Sequence, residues 1–128
     1  MKKLLPILLS ALMFTGCAGT SNNQTNTYRQ INMDEAVTMM AQETGYIILD
    51  VRRADEFATG HIPGAINVAN ESISTDEIPE LPDKNQLIMV YCRSGRRSKE
   101  AAEKLDKMGY TNIVEFGGIL DWKGEIET

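Results

Sequence analysis

Cysteine is scarce in this chain: two occur in 128 residues, Cys17 and Cys92, beside one histidine, His61, and one tryptophan. So few thiols exclude a disulfide-stapled fold, and one imidazole with one thiol in the domain gives no metal cluster. No metal or other cofactor is therefore expected. Long apolar runs are missing too. The stretch from Leu4 to Phe14 falls short of the roughly 20 residues that cross a bilayer. Basic residues are outnumbered, 13 Lys and Arg against 18 Asp and Glu, for a formal charge of −5. An acidic chain is a poor partner for nucleic acid, which is not expected as a ligand. No segment repeats.

What is present begins with a leader. Lys2 and Lys3 precede the apolar stretch, and Thr15-Gly16-Cys17 follows it, the layout of an export signal with a small-residue cleavage site. Ending in Cys, it resembles a bacterial lipoprotein signal. The resemblance implies a signal peptide over residues 1–16, acylation of Cys17, and a membrane-anchored, extracytoplasmic protein. The small and polar residues 18–27 then read as a tether, and residues 28–128 as one small domain. Removing Lys2 and Lys3 takes the formal charge from −5 to −7. With Cys17 lipidated, Cys92 is left without a partner in an oxidising compartment, where a leftover thiol is intermolecular or functional.

The surroundings of Cys92 favour function. It follows the apolar run Leu87-Ile88-Met89-Val90-Tyr91, a buried strand by composition and length. Beyond the Arg93-Ser94-Gly95-Arg96-Arg97 loop, residues 98–108 are rich in helix formers, carry Ala101, Leu105 and Met108 on one face, and stop at Gly109. Three of the six arginines fall in this loop, the others being Arg29, Arg52 and Arg53. A helix N-terminus and three guanidinium groups favour an anion, and the thiolate is the first they would hold. Such surroundings lower a thiol from ~8.5 to roughly 3.5–7.5. Local positive charge on an acidic chain suits a small anion better than a polyanion.

The rest of the domain alternates strands and helices. Residues 28–31 read as a short strand. Asn32 and Glu35 have capping-box spacing for a helix to about Thr44 and Gly45, with Met33, Ala36, Val37 and Met40 on its apolar face. Further strands are expected at 46–49, 65–68, 87–91 and 113–116, a helical turn at 54–58, and a loop over 70–85 with Pro79 and Pro82. This is an α/β pattern, a parallel sheet of about five strands with helices on both faces, whose sites form at strand carboxyl ends. Asp50 and Cys92 lie at two such ends.

From residue 28 to Trp122 the chain resembles a single-domain rhodanese. The likeness rests on Leu49-Asp50-Val51-Arg52, Glu56-Phe57, Gly60-His61-Ile62-Pro63-Gly64-Ala65-Ile66-Asn67, Tyr91-Cys92-Arg93-Ser94-Gly95 with Arg97-Ser98, and Phe116-Gly117-Gly118 with Trp122. It implies a rhodanese-like fold and a thiosulfate sulfurtransferase activity. Cys92 would take a sulfane sulfur from an anionic donor as a persulfide and pass it to a thiol or cyanide acceptor. The N–H groups of residues 93–97 would cradle that sulfur, so Arg93, Ser94, Gly95, Arg96 and Arg97 become the substrate-binding set. Within it Arg97 is expected to hold the donor through both guanidinium edges and Arg96 to add long-range attraction. Asp50 is expected to orient the loop or pair with an arginine, Arg52 to pair with Glu56, and His61 to serve the turn. The protein is expected to act as a monomer.

Two other readings compete. A Cys, a glycine loop and an Arg at a helix start also serve Cys-based phosphatases and arsenate reductases, whose Cys and Arg stand one residue further apart than Cys92 and Arg97. A carrier module without turnover would use the same thiol.

Overall fold

A computed structural model describes residues 28–128. The leader, Cys17 and the tether lie outside the described residues. Five strands form one sheet: β1 Arg29–Gln30, β2 Ile47–Asp50, β3 Ile66–Asn67, β4 Ile88–Cys92 and β5 Ile113–Gly118. Their order is β1-β5-β4-β2-β3 and every pairing is parallel. The connections carry α1 Met33–Gln42, α2 Ala54–Thr59 and α3 Arg96–Lys107, with 3-10 turns at Asn70–Ser72 and Ile119–Asp121.

Strand alternation divides the core in two. Leu49, Ile88, Val90, Cys92 and Ile113 face Ala101, Ala102 and Leu105 of α3, whereas Ile48, Met89, Tyr91 and Phe116 face Ala36, Met33 and Met40 of α1 and Phe57 of α2. Helices thus cover both faces, as the continuous apolar strands require. All of β4 is buried, and each fully buried large side chain contributes roughly 1.5–3 kcal/mol. The central strand is therefore a rigid base for the thiol at its end.

Several boundaries differ from expectation for local reasons. The Asn32–Glu35 capping box forms, but α1 ends at Gln42, and Glu43 is already extended. Val37 is 47% exposed, because it lies a helical step to one side of the Met33, Ala36 and Met40 stripe; Met39 packs on the other flank. Helix α3 starts at Arg96 rather than Ser98, so two of the loop arginines are helical. Strand β5 runs on through Gly117 and Gly118, where Gly118 pairs with Cys92.

Candidate active site

The loop is built by close backbone contact. The β4–β5 register shifts between Val90 and Cys92, and Gly118 then lies directly beneath Arg93 and Ser94. A Cβ on Gly118 would sit 2.0 Å from the Arg93 carbonyl oxygen and 2.5 Å from Ser94 N. Its backbone is extended, φ −143°, so glycine is needed there for space. Leu120 N–H donates to Arg93 O at 3.2 Å and pins the loop from the same side. Gly95 has φ +119°, the left-handed region that glycine alone enters at low cost, and it caps α3.

That turn aims donors at the sulfur. Gly95 N–H donates to Cys92 Sγ at 3.0 Å, and Ser98 Oγ stands 3.5 Å from Sγ. The first N–H groups of a helix have no partner within it, and the Ser98 N–H is one of the backbone donors to the sulfur. Cys92 is 1% exposed. Burial pushes its thiol up, but the hydrogen bond between Sγ and the Ser98 hydroxyl and those from the N–H groups of Ser98, Gly95 and Ser94 outweigh it and hold the thiol below its ordinary value. The shift is in the expected direction, and adjacent donors are its larger source, with the Arg97 guanidinium also attracted to the sulfur.

The three loop arginines have different fates. Arg93 is exposed, and among the described residues its guanidinium makes no hydrogen bond or ion pair. Arg96, 73% exposed, pairs with Glu100 one helical turn on at 3.1 Å. Arg97 is committed elsewhere: Nη1 and Nη2 donate to Glu56 Oε1 at 2.8 Å and Oε2 at 3.1 Å. The bidentate partner of Arg97 is therefore a carboxylate of the protein. Its hydrogen bonds from Arg97 hold the Glu56 carboxyl down at about 2.

The expected Arg52–Glu56 pair does not form. Arg52 donates through Nε and Nη2 to Asp50 and through Nη2 to Gly60 O at 2.7 Å, all buried. The reason is the α2 capping box. Glu56 Oε1 accepts Arg53 N–H at 3.1 Å, which fixes the carboxylate at the start of α2, facing α3, while Arg52 turns inward. Asp50 also accepts Tyr91 Oη at 2.8 Å, and Tyr91 Oη accepts Ile62 N–H at 3.1 Å. Asp50 thus pairs with an arginine and anchors the residue preceding Cys92. His61 sits in the 60–64 turn, stacked on Phe57 with ring centroids 3.7 Å apart and Nδ1 2.9 Å from Phe57 O.

Two polar side chains behind the sulfur were not expected there. Ser98, fully buried, has Oγ 2.5 Å from Glu115 Oε2, and Glu115 is 2% exposed. The signal for Glu115 was present in the sequence: a carboxylate within an otherwise apolar buried strand needs a partner. Among the described residues no group of three or more His, Cys, Asp and Glu could hold a metal. No described helix is long and apolar enough to cross a membrane.

Known proteins resemble this chain in sequence and fold. The family model for the rhodanese-like domain matches residues 32–125. Thiosulfate sulfurtransferase PspE of Escherichia coli is 38% identical over 73 residues, 57% of this chain and 70% of PspE. The adenylyltransferase and sulfurtransferase uba4 of Ogataea parapolymorpha is 31% identical over 104 residues, which are 78% of this chain and only 26% of that protein. A solved structure of a rhodanese with anions from E. coli superposes with a TM-score of 0.59 at 34% identity, covering 65% of this chain and 98% of that one. With a parallel sheet of five strands, a cysteine at the end of the central one and a donor-lined loop, the chain belongs to the rhodanese-like domain family, whose members include sulfurtransferases.

Proposed function

We propose that the protein is a thiosulfate-type sulfurtransferase working through a persulfide on Cys92. The observation that carries this reading is the tightness of the loop. Gly95 N–H reaches Sγ itself at 3.0 Å, and only four residues separate Cys92 from Arg97, a hollow suited to a single sulfur atom rather than a tetrahedral oxyanion. The likeness to a thiosulfate sulfurtransferase supports the same reading.

Cys92 thiolate attacks the sulfane sulfur of thiosulfate, the sulfur–sulfur bond of the donor breaks, and sulfite departs with its electron pair. The terminal persulfide sulfur carries the negative charge, and backbone N–H groups pointing into the hollow stabilise it as an oxyanion hole would. A thiolate or cyanide then attacks that sulfur and Cys92 leaves as thiolate. Arg93, the loop guanidinium without a carboxylate partner, takes the donor anion at the mouth, and Arg97 with Glu56 holds the start of α3 in place. The protein does this outside the cytoplasm, tethered by acylated Cys17.

Mass spectrometry of the full-length protein tests the chemistry. Thiosulfate should add the mass of one sulfur atom to the Cys92 peptide, cyanide should remove it, and Cys92→Ala should abolish both. Hydrolysis of an aryl phosphate by the unmodified protein, with no persulfide from any donor, would make the phosphatase class correct. Persulfide formation without release to cyanide or small thiols would make it a carrier.

A further inference from the structure

Cys92 heads a chain of three groups, continued by Ser98 and Glu115, whose last two members sulfur transfer does not itself require. Ser98 Oγ is 3.5 Å from Cys92 Sγ and 2.5 Å from Glu115 Oε2, and it is also within 3.0 Å of Gly95 O and 3.3 Å of Gly117 O. A serine hydroxyl has one proton to give. With three oxygens and a sulfur around it, Ser98 can donate to only one. The carboxylate at 2.5 Å is its nearest acceptor, which leaves an Oγ lone pair for the Cys92 S–H. Reversing the pattern gives the alternative: protonated Glu115 donates to Ser98, and Ser98 donates to the thiolate. Each arrangement satisfies every member, and each carries a single negative charge.

We infer that Cys92, Ser98 and Glu115 share one proton, with buried Glu115 as the group that receives the thiol proton through Ser98. In this transfer the S–H bond of Cys92 breaks and its electron pair stays on sulfur. The proton goes to Ser98 Oγ as the Ser98 O–H proton goes to Glu115 Oε2. No oxidant or reductant takes part. Glu115 touches neither donor nor acceptor, so it is a positioning residue. Its contribution to sulfur transfer rests on the persulfide reading, whereas the shared proton itself does not.

The surroundings of Glu115 suit the role. Gly117 N–H donates to Oε2 at 2.9 Å, and Lys99 Nζ of α3 stands 3.9 Å from Oε1. A cavity of about 330 Å³ lies against Glu115 and Gly117 and is also lined by Lys99, Glu35 of α1 and Asp121. This cavity opens the Glu115 end of the chain to solvent. The remaining titratable neighbours are Tyr28, which feels the Glu115 charge, and Arg97, which feels that of Cys92.

Groups that share a proton titrate in two macroscopic steps. The test is the pH dependence of iodoacetamide labelling at Cys92 in the full-length protein, read on the Cys92 peptide. In the wild type the labelling rate should show two inflections with an intermediate plateau. Glu115→Gln and Ser98→Ala should each leave one inflection, below which the rate falls about tenfold per pH unit. Ser98→Thr, which keeps the hydroxyl, should restore the plateau. If Glu115→Gln does not fold, Ser98→Ala and Ser98→Thr decide the matter alone. A single inflection in the wild type, or a plateau that survives in Ser98→Ala, overturns the inference. Labelling needs no sulfur donor, so two inflections without any persulfide would sink the proposed activity and leave the shared proton standing.

Discussion

Arg93, Arg96 and Arg97 carry the same charge within five residues, yet their partners give each a separate expected effect. Arg93 has no partner to lose among the described residues, so Arg93→Ala should raise the Michaelis constant for thiosulfate and leave the unfolding midpoint unchanged; a charge-assisted contact is worth roughly 1.5–3 kcal/mol. Arg96 is exposed beside Glu100, and such pairs contribute under ~1 kcal/mol. Its removal should have a small effect that salt erases. Arg97→Ala should lower stability first, because Glu56 loses both of its hydrogen bonds from Arg97. Equal Michaelis-constant changes in all three variants would refute the assignment. The Glu56 pair also fixes a pH dependence. Its folded carboxyl titrates at about 2 against an ordinary 4.5, so the unfolded chain takes up the proton first as pH falls. The pair's stabilisation is complete above the ordinary carboxylate range and drains away as pH drops toward 2. Denaturant midpoints of wild type and Arg97→Ala should therefore converge over that window. Parallel curves would show that the ion pair does not set the slope.

At the scale of elements, the site depends on how closely β5 can approach the turn between β4 and α3. Gly118→Ala tests this, because its Cβ would meet backbone atoms of Arg93 and Ser94 that no side-chain rotation can relieve. Overpacking of this kind costs typically 1–3 kcal/mol. The loop that carries the donors to Sγ should move with it, so melting temperature and persulfide formation should fall together. Retention of both would mean that the loop has room to spare. The strands and helices were legible in the sequence because continuous apolar runs and the Asn32–Glu35 box are local signals. Cys92 and its glycine loop were legible for the same reason. The partners of Arg52, Arg97 and Ser98 were not. Two of these lie across the fold, Glu56 being 41 residues from Arg97 and Glu115 17 from Ser98, whereas Arg52 pairs with Asp50 only two residues away. The family resemblance implied Arg52 with Glu56, but Asp50 at the end of β2 and a cap on α2 decided otherwise.

For the whole molecule, the candidate site residues Cys92, Ser98, Glu115 and the loop arginines all lie within residues 28–128. The proposed tether would contribute position only. Ten residues, 18–27, reach at most about 35 Å when fully extended, which would keep the acidic domain near a membrane while its basic loop meets small anions from solution. A single lipid chain binds membranes only marginally, and stable anchoring takes more than one, as the acylation of both thiol and amine at a lipoprotein cysteine would provide. Cys17→Ser should therefore move the protein from the membrane fraction to the soluble fraction, or leave the leader uncleaved. Its turnover with thiosulfate and cyanide should stay within about twofold of wild type, because no site residue depends on the anchor. Unchanged partitioning would remove the lipoprotein reading. Loss of turnover in a correctly folded Cys17→Ser protein would instead mean that Cys17 takes part in sulfur transfer, with its thiol free and Cys92 no longer acting alone.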